Sequence, residues 1–213
     1  MSLPIVLLGA GGHGRVLLDI LLQQSYEVLA IADPAFKKIQ SLTNIPLIDD
    51  QAVVKYSPDE VLLVNGLGSV GDTGKRQHLY EYFKTRGYKF ATVIHASAVI
   101  SPRTELGEGV QVMAGAIVQT SVNIASNSII NTKATVEHDC TVGAHVHIAS
   151  GAILCGGIQI GDGAHIGAGA TIIQGLSIGK RSIVGAGAVV IKDMPEAAVV
   201  VGVPARIIKY REG

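Results

Sequence analysis

Glu137-His138-Asp139-Cys140 is the densest run of reactive side chains in the sequence. A histidine beside a carboxylate has the makings of a general base: the acid fixes the ring and favours its protonated form, so the imidazole can take a proton from an attacking group. His145, His147 and His165 follow further along. A second group lies near the start, where Gly9-Ala10-Gly11-Gly12-His13-Gly14 follows an apolar run. A glycine turn feeding a helix N-terminus brings N–H groups close to a bound anion or carbonyl. Gly9, Gly11 and Gly14 match the dinucleotide fingerprint, and Asp33 stands about where a ribose-binding acid belongs.

The elements that carry His138 are set by a repeat. Stepping by six from Ile94 to Val190, every residue is Ile, Val or Leu. Two residues before the beat the side chain is often small, as at Ala116, Ala134, Cys140 and Ala152. Side chains at i and i+2 of a strand face the same way, so each unit reads as a short strand with one large and one small inward residue, then a turn. Glycine often follows the beat, as at Gly107, Gly143 and Gly161, and is expected to supply the turn dihedrals. Three units close a triangular coil of 18 residues, and only a stack of coils buries the apolar faces. In this register His138 lies two residues past the beat at Val136, in a turn and pointing outward. Cys140 falls on an inward position and reads as core. His147 and His165 lie one coil apart and should stack on one edge. Glu137 reads as a solvated turn residue.

The N-terminal part alternates strand and helix: a strand over residues 3–8, an amphipathic run with Val16, Leu17, Ile20 and Leu21, strands over 27–32 and 60–64, and a helix over 75–86. That pattern predicts a small Rossmann-like α/β domain over residues 1–92, followed by a parallel β-helix domain over 93–213 with a closing tail. The first is about half of a full dinucleotide-binding unit, so a complete NAD site is not expected.

Composition narrows the partners. The 213 residues carry no net charge, and aromatic residues make up 4% with no Trp. Nothing there favours nucleic acid or an anionic membrane surface. No apolar run is long enough to span a bilayer. The N-terminus enters a strand without a basic or signal-like segment, and two cysteines make no disulfide framework, so a cytoplasmic protein is expected.

The glycine turn at residues 9–14, Asn131-Thr132, Glu137-His138-Asp139-Cys140 and Val146-His147-Ile148 together resemble the sialic-acid O-acetyltransferase and bacillosamine-pathway N-acetyltransferase family, along essentially the whole chain. The resemblance implies a left-handed β-helix, a hand that spacing alone does not give. It implies an acetyl-CoA-dependent homotrimer, without a metal, acting on a nucleotide-linked amino sugar. His138 then matches the base and Asp139 the acid that raises its basicity, a position that is Glu in some members. His147, Ala168 and Ala186 match acetyl-CoA contacts. Gly11, Gly12, His13, Asp33 and Gly68 match nucleotide-sugar contacts, while Pro34 stands where several members carry a second Asp. The segment Asn65-Gly66-Leu67-Gly68-Ser69 looks like the perosamine and viosamine branch, which favours an amine acceptor.

Three other readings stay open at this level. Sugar O-acetylation shares the fold and the base. A zinc carbonic anhydrase on the same helix needs three imidazoles. His138, His145, His147 and His165 supply enough of them, although the expected His-x4-His spacing is missing. A non-enzymatic scaffold would leave both motifs without purpose.

Overall fold

The computed structural model describes residues 3–35 and 44–212. Met1 and Ser2, which enter the reading of the N-terminus, lie outside them. The chain opens with β1 (Ile5–Leu8), α1 (Gly12–Gln23), β2 (Val28–Ala32), β3 (Leu47–Ile48), a 3₁₀ turn at Asp50–Lys55, β4 (Leu62–Asn65), α2 (Gly74–Lys84) and β5 (Lys89–Phe90). The five strands form one parallel sheet in the order β3-β2-β1-β4-β5. β1 is central and buried along its whole length, which is why it reads as an unbroken apolar run. The chain leaves β1 towards β2 on one side and later returns as β4 on the other. A crevice therefore opens at the carboxyl ends of β1 and β4, where α/β sheets bind ligands. α1 buries Leu17, Leu18, Ile20 and Leu21, while Val16, expected to face inward, is 47% exposed.

From β6 (Val93–Ile94) to β22 (Val189–Val190), a two-residue strand recurs every six residues and ends on the beat. Each strand pairs in parallel with the one 18 residues away, as Ile117 does with Thr135 and Ile129 with His147. The strands sort into three sheets, the sides of a left-handed triangular β-helix. Beats from Val112 to Val190 are buried in one continuous core. Ile94 is 37% exposed, and Ile100 and Leu106 are half-buried, because no coil lies beneath them. β23 (Ala198–Val201) and β24 (Arg206–Tyr210) form an antiparallel hairpin that closes the upper end.

The turn glycines correct the expectation drawn from sequence. The left-handed backbone position is three residues after the beat, at Gly109, Gly115, Gly151, Gly157 and Gly163, but also at Asn127, Asp139 and His145. Glycines directly after the beat are needed for space instead. A Cβ on Gly161 would stand 2.6 Å from the Lys180 nitrogen, and one on Gly143 would stand 2.7 Å from the Asp162 nitrogen. The next coil passes too close for a side chain.

The outward residues differ by side. The first side carries Val99, Ile117, Thr135, Ile153, Thr171 and Val189, with Val99 63% and Ile153 42% exposed. The second is polar: Glu105, Asn123, Thr141, Gln159 and Ser177. The third carries Val93, Gln111, Ile129, His147, His165 and Ile183. The α/β unit packs on this third side, where Val93, Met113 and Ile129 share a buried cluster with Leu17, Leu21 and Ile31. Full burial of each such side chain is worth about 1.5–3 kcal/mol. Further ties run from Lys84 to Glu108 (2.8 Å) and from Arg211 to Asp72.

Candidate active site

The crevice at β1 and β4 faces the third side of the β-helix, and the two together line an open cavity of about 390 Å³. Gly11, Gly12, His13, residues 66–70, Asn131 and His147 bound it. The glycines here serve two purposes. A Cβ on Gly14 would run into the Gly9 carbonyl, and one on Gly66 would stand 2.7 Å from the Leu8 oxygen, so these hold the strand–helix turn together. A Cβ on Gly11 or Gly12 would meet nothing within 4 Å. Their open surface leaves room for a ligand against the turn and the first residues of α1. Gly68 lines the same cavity beside His13.

His13 is fixed by a chain of hydrogen bonds. The Gln111 amide donates to the Asn65 carbonyl (2.8 Å), so its Oε1 faces His13 and accepts from Nε2 (2.8 Å). Burial lowers the His13 pKa to about 4 despite that bond, with Arg76 adding to the lowering. Arg76 is itself wholly buried and donates to the carbonyls of Asn65, Leu67 and Asn127, tying the 65–67 segment to the β-helix. Burial lowers its pKa to about 9. Asp33 sits at the end of β2, outside the cavity lining. Its two oxygens accept from the Ala10 and Ala35 N–H groups at 2.9 and 2.8 Å, so it braces the glycine turn.

A second cavity of about 370 Å³ adjoins the first. Ala149, Ala168 and Ala186 bound it along the corner between the third and first sides, with His165 and Ile183 from the third side. Ser69 and Val70 line both cavities. His147 lines the first cavity, and its ring stacks edge-to-face on His165 at 5.1 Å between centroids. The expected one-coil pairing of these histidines is thus present. Burial, then the neighbouring His165, His13 and Arg76, lowers the His147 pKa to about 3, so the ring is neutral.

His138 stands elsewhere. It projects from the corner between the first and second sides, and its ring lies over Gly156. Its Nδ1 is 2.7 Å from Asp139 Oδ2, and both side chains are exposed. Asp139 adopts the left-handed conformation (φ 61°), which short polar side chains tolerate, and this turns its carboxylate back onto the ring. Glu137 is half-buried. Cys140 is buried in the core, where burial raises its thiol pKa, and Cys155 is free and half-buried. Among the described residues no three His, Cys, Asp or Glu side chains are grouped to hold a metal ion. His145 lies apart from the other histidines, against Tyr80 and Asn127.

The structure therefore brings His13, Gly11, Gly12, Gly68 and His147 to one cavity and Ala168 and Ala186 to its neighbour. It leaves His138 and Asp139 on another corner. Sequence reasoning missed Ser69, Gln111, Arg76 and the cavity-lining place of Asn131. One signal was available: stepping by 18 along the third side gives Gln111, His147 and His165 among apolar residues, the mark of a covered face with polar business in it.

Both parts of the chain match known protein families. Residues 4–83 match the PglD N-terminal domain model. Residues 157–192 match the bacterial transferase hexapeptide model, and 133–174 the hexapeptide repeat of succinyl-transferase. The UDP-N-acetylbacillosamine N-acetyltransferase of Bacillus subtilis is 36% identical over 114 residues, 52% of this chain. The match spans about half the length of that curated relative. PerB from Caulobacter crescentus, solved with CoA and GDP-perosamine, superposes with a TM-score of 0.88 at 37% identity, covering 97% of both chains. The acetyltransferase domain of PglB from Neisseria gonorrhoeae gives 0.89 at 33%, covering 97% of this chain and all of that one. The chain belongs to the sialic-acid O-acetyltransferase and bacillosamine-pathway family of hexapeptide-repeat acetyltransferases.

Proposed function

We propose that this chain transfers the acetyl group of acetyl-CoA to the 4-amino group of a nucleotide-linked amino-dideoxy sugar. The observation that carries this reading is the pair of adjoining cavities. One offers a glycine turn at a helix start and polar side chains, suited to a nucleotide-sugar, with Gly11, Gly12, His13 and Gly68 in contact and Asp33 bracing the turn. The other is a largely apolar corner groove, suited to a pantetheine arm, with Ala168 and Ala186 in its wall and His147 beside its His165, on the side of the first cavity. PerB, whose structure holds CoA and GDP-perosamine, supports the choice of ligands. The division of labour follows the boundary at residues 92–93, with most nucleotide-sugar contacts before it and the acetyl-CoA contacts after it.

In the reaction the amine nitrogen attacks the thioester carbonyl carbon. His138 takes the proton that the nitrogen loses, and Asp139, on Nδ1, stabilises the imidazolium. The C–S bond breaks, the acetyl group stays on nitrogen as an amide, and the thiolate leaves as CoA, to which His138 returns the proton.

His138 stands on a different corner from the cavities of its own chain, so the base comes from a second copy. The uncovered apolar first side lies between the corner bearing His138 and the corner bearing the groove. Turning that side towards a three-fold axis sets the His138 corner of one copy against the groove of the next, a head-to-tail contact that closes as a ring of three. The homotrimer is thus part of the proposal. No helix is long and apolar enough to cross a membrane among the described residues, and the free cysteines suit the reducing cytoplasm, the compartment assigned here.

Release of free CoA from acetyl-CoA, measured against UDP-, dTDP- and GDP-linked 4-amino-4,6-dideoxy sugars, tests the reading. Turnover with an amino sugar, lost in His138→Ala, supports it. Turnover only on a sugar hydroxyl refutes the amine acceptor and leaves the fold argument standing.

A further inference from the structure

Ser69 and Val70 are the residues shared by the linings of the two cavities. Two substrates that enter from the two cavities must bring their reacting atoms within about 3.5 Å of each other. They meet beside these residues, and Ser69 has the only polar side chain of the pair. What its hydroxyl does there depends on where the proton of His147 lies.

The hydrogen bonds fix that proton. The Thr132 backbone N–H can only donate, and it points at the Asn131 side chain at 2.7 Å. The atom facing it is therefore the amide oxygen. The Asn131 Nδ2 then faces His147 Nε2 at 3.0 Å and donates to it. A neutral ring that accepts at Nε2 carries its proton on Nδ1. Nδ1 faces Ser69 Oγ at 2.7 Å and the Ser69 carbonyl at 3.1 Å. The Ser69 hydroxyl consequently cannot donate to His147 and is held as an acceptor. No other hydrogen bond engages Ser69 Oγ among the described residues, so its own proton is free for a ligand.

We propose that Ser69 donates this hydrogen bond to the carbonyl oxygen of the acyl thioester at the junction of the cavities, stabilising the negative charge that grows there as the amine attacks. The chain Thr132 N–H, Asn131, His147, Ser69 aims the donor before the substrate arrives. A donor already oriented needs no rearrangement at the moment of reaction, the condition under which such bonds are strongest. The arrangement resembles a serine–histidine nucleophile pair but works in the opposite sense: the ring donates to the serine and cannot activate it. This inference rests on the acetyl-transfer reading and adds a catalytic residue to it.

Two experiments test it. In Ser69→Ala the carbonyl of residue 69 still accepts from His147, so the ring stays in place. The expected result is a fall in kcat of about 100-fold, with KM for both substrates and the affinity for free CoA held near wild type, since only the transition state loses a contact. Ser69→Thr, which keeps the hydroxyl, should recover most of the rate. An Ala variant with wild-type kcat, or one that only raises KM, overturns the proposal. If the wild type turns over no sugar at all, the acetyl-transfer reading fails and this one with it, and the two failures are told apart. Independently of activity, 15N NMR of the histidine rings should show His147 protonated at Nδ1. A proton at Nε2 would reverse the chain and overturn the proposal.

Discussion

Gly156→Ala should displace the proposed base without altering it. The His138 ring lies directly over Gly156, and a Cβ added there would stand 2.6 Å from Cε1 and 2.7 Å from Nε2. Ordinary contact begins at 3.4 Å, so the ring must retreat by 3.4 − 2.6, about 0.8 Å. Gly156 has no left-handed φ, so alanine is tolerated by its backbone. The group that yields is an exposed side chain at a corner, so stability changes little. Misplacing a catalytic group by about 1 Å costs on the order of 100-fold in rate, or about 2.7 kcal/mol of activation free energy. The assay is free-CoA release at saturating acetyl-CoA, with the melting temperature as control. The expected result is a kcat near one hundredth of wild type and a melting temperature within about 3 °C. In a His138→Ala background the same change should add nothing, because the two act through one group. A Gly156→Ala enzyme at wild-type rate, or equal losses from Gly156→Ala with and without His138, would refute the claim that this ring does the work.

Four further outcomes follow. Mixing inactive His138→Ala with inactive His13→Ala chains and reassembling them should restore turnover, because one copy then supplies the base and its neighbour the sugar cavity; no recovery would count against a site shared between chains. Ile153→Asp on the uncovered apolar side should shift the particle mass from three chains to one by light scattering and remove activity with it. His13 and His147 have folded pKa values of about 4 and about 3 against an ordinary 6.5, so both stay neutral where the unfolded chain is protonated. Stability should therefore be level above about pH 6.5 and fall as pH drops towards 3, each histidine contributing at most roughly 1.4 kcal/mol per pH unit, and urea melts of His147→Gln should show a shallower fall. Arg76→Leu should strip donors from three carbonyls, at roughly 1–3 kcal/mol for each one left unsatisfied, and lower the urea midpoint far more than any exposed arginine change.

The β-helix was legible from sequence because its order is one-dimensional. Each beat needs only the residue six positions away, and the side a residue occupies follows from counting. The same counting set His147 over His165 and Cys140 in the core. What counting misses is contact between residues distant in sequence. Nothing near Arg76 in the chain says that it is buried, because in a helical run an arginine ordinarily faces water. Ser69 meets His147 across 78 positions, and Gln111 meets His13 across 98. β3 escaped notice since two residues carry no periodicity. For the glycines after the beat the sequence points to backbone dihedrals, whereas close approach of the next coil is what excludes a side chain there. That distinction has a measurable form. Gly161→Ala should destabilise more than Gly151→Ala, which meets open space and bears only the cost of a left-handed residue, about 1–2 kcal/mol.

The 18-residue coil also makes the corner groove a ruler. Stacked strands lie about 4.8 Å apart, so each coil is one graduation, and small side chains such as Ala149, Ala168 and Ala186 recur near each mark. The reach from the junction at Ser69 to the closing hairpin is then a whole number of graduations, set by how many coils the chain contains and not by any one residue. One extra coil spliced above the junction would lengthen the groove by about 4.8 Å while leaving the reacting end as it was. Preference among donors with longer or shorter arms is, on this fold, a matter of repeat number.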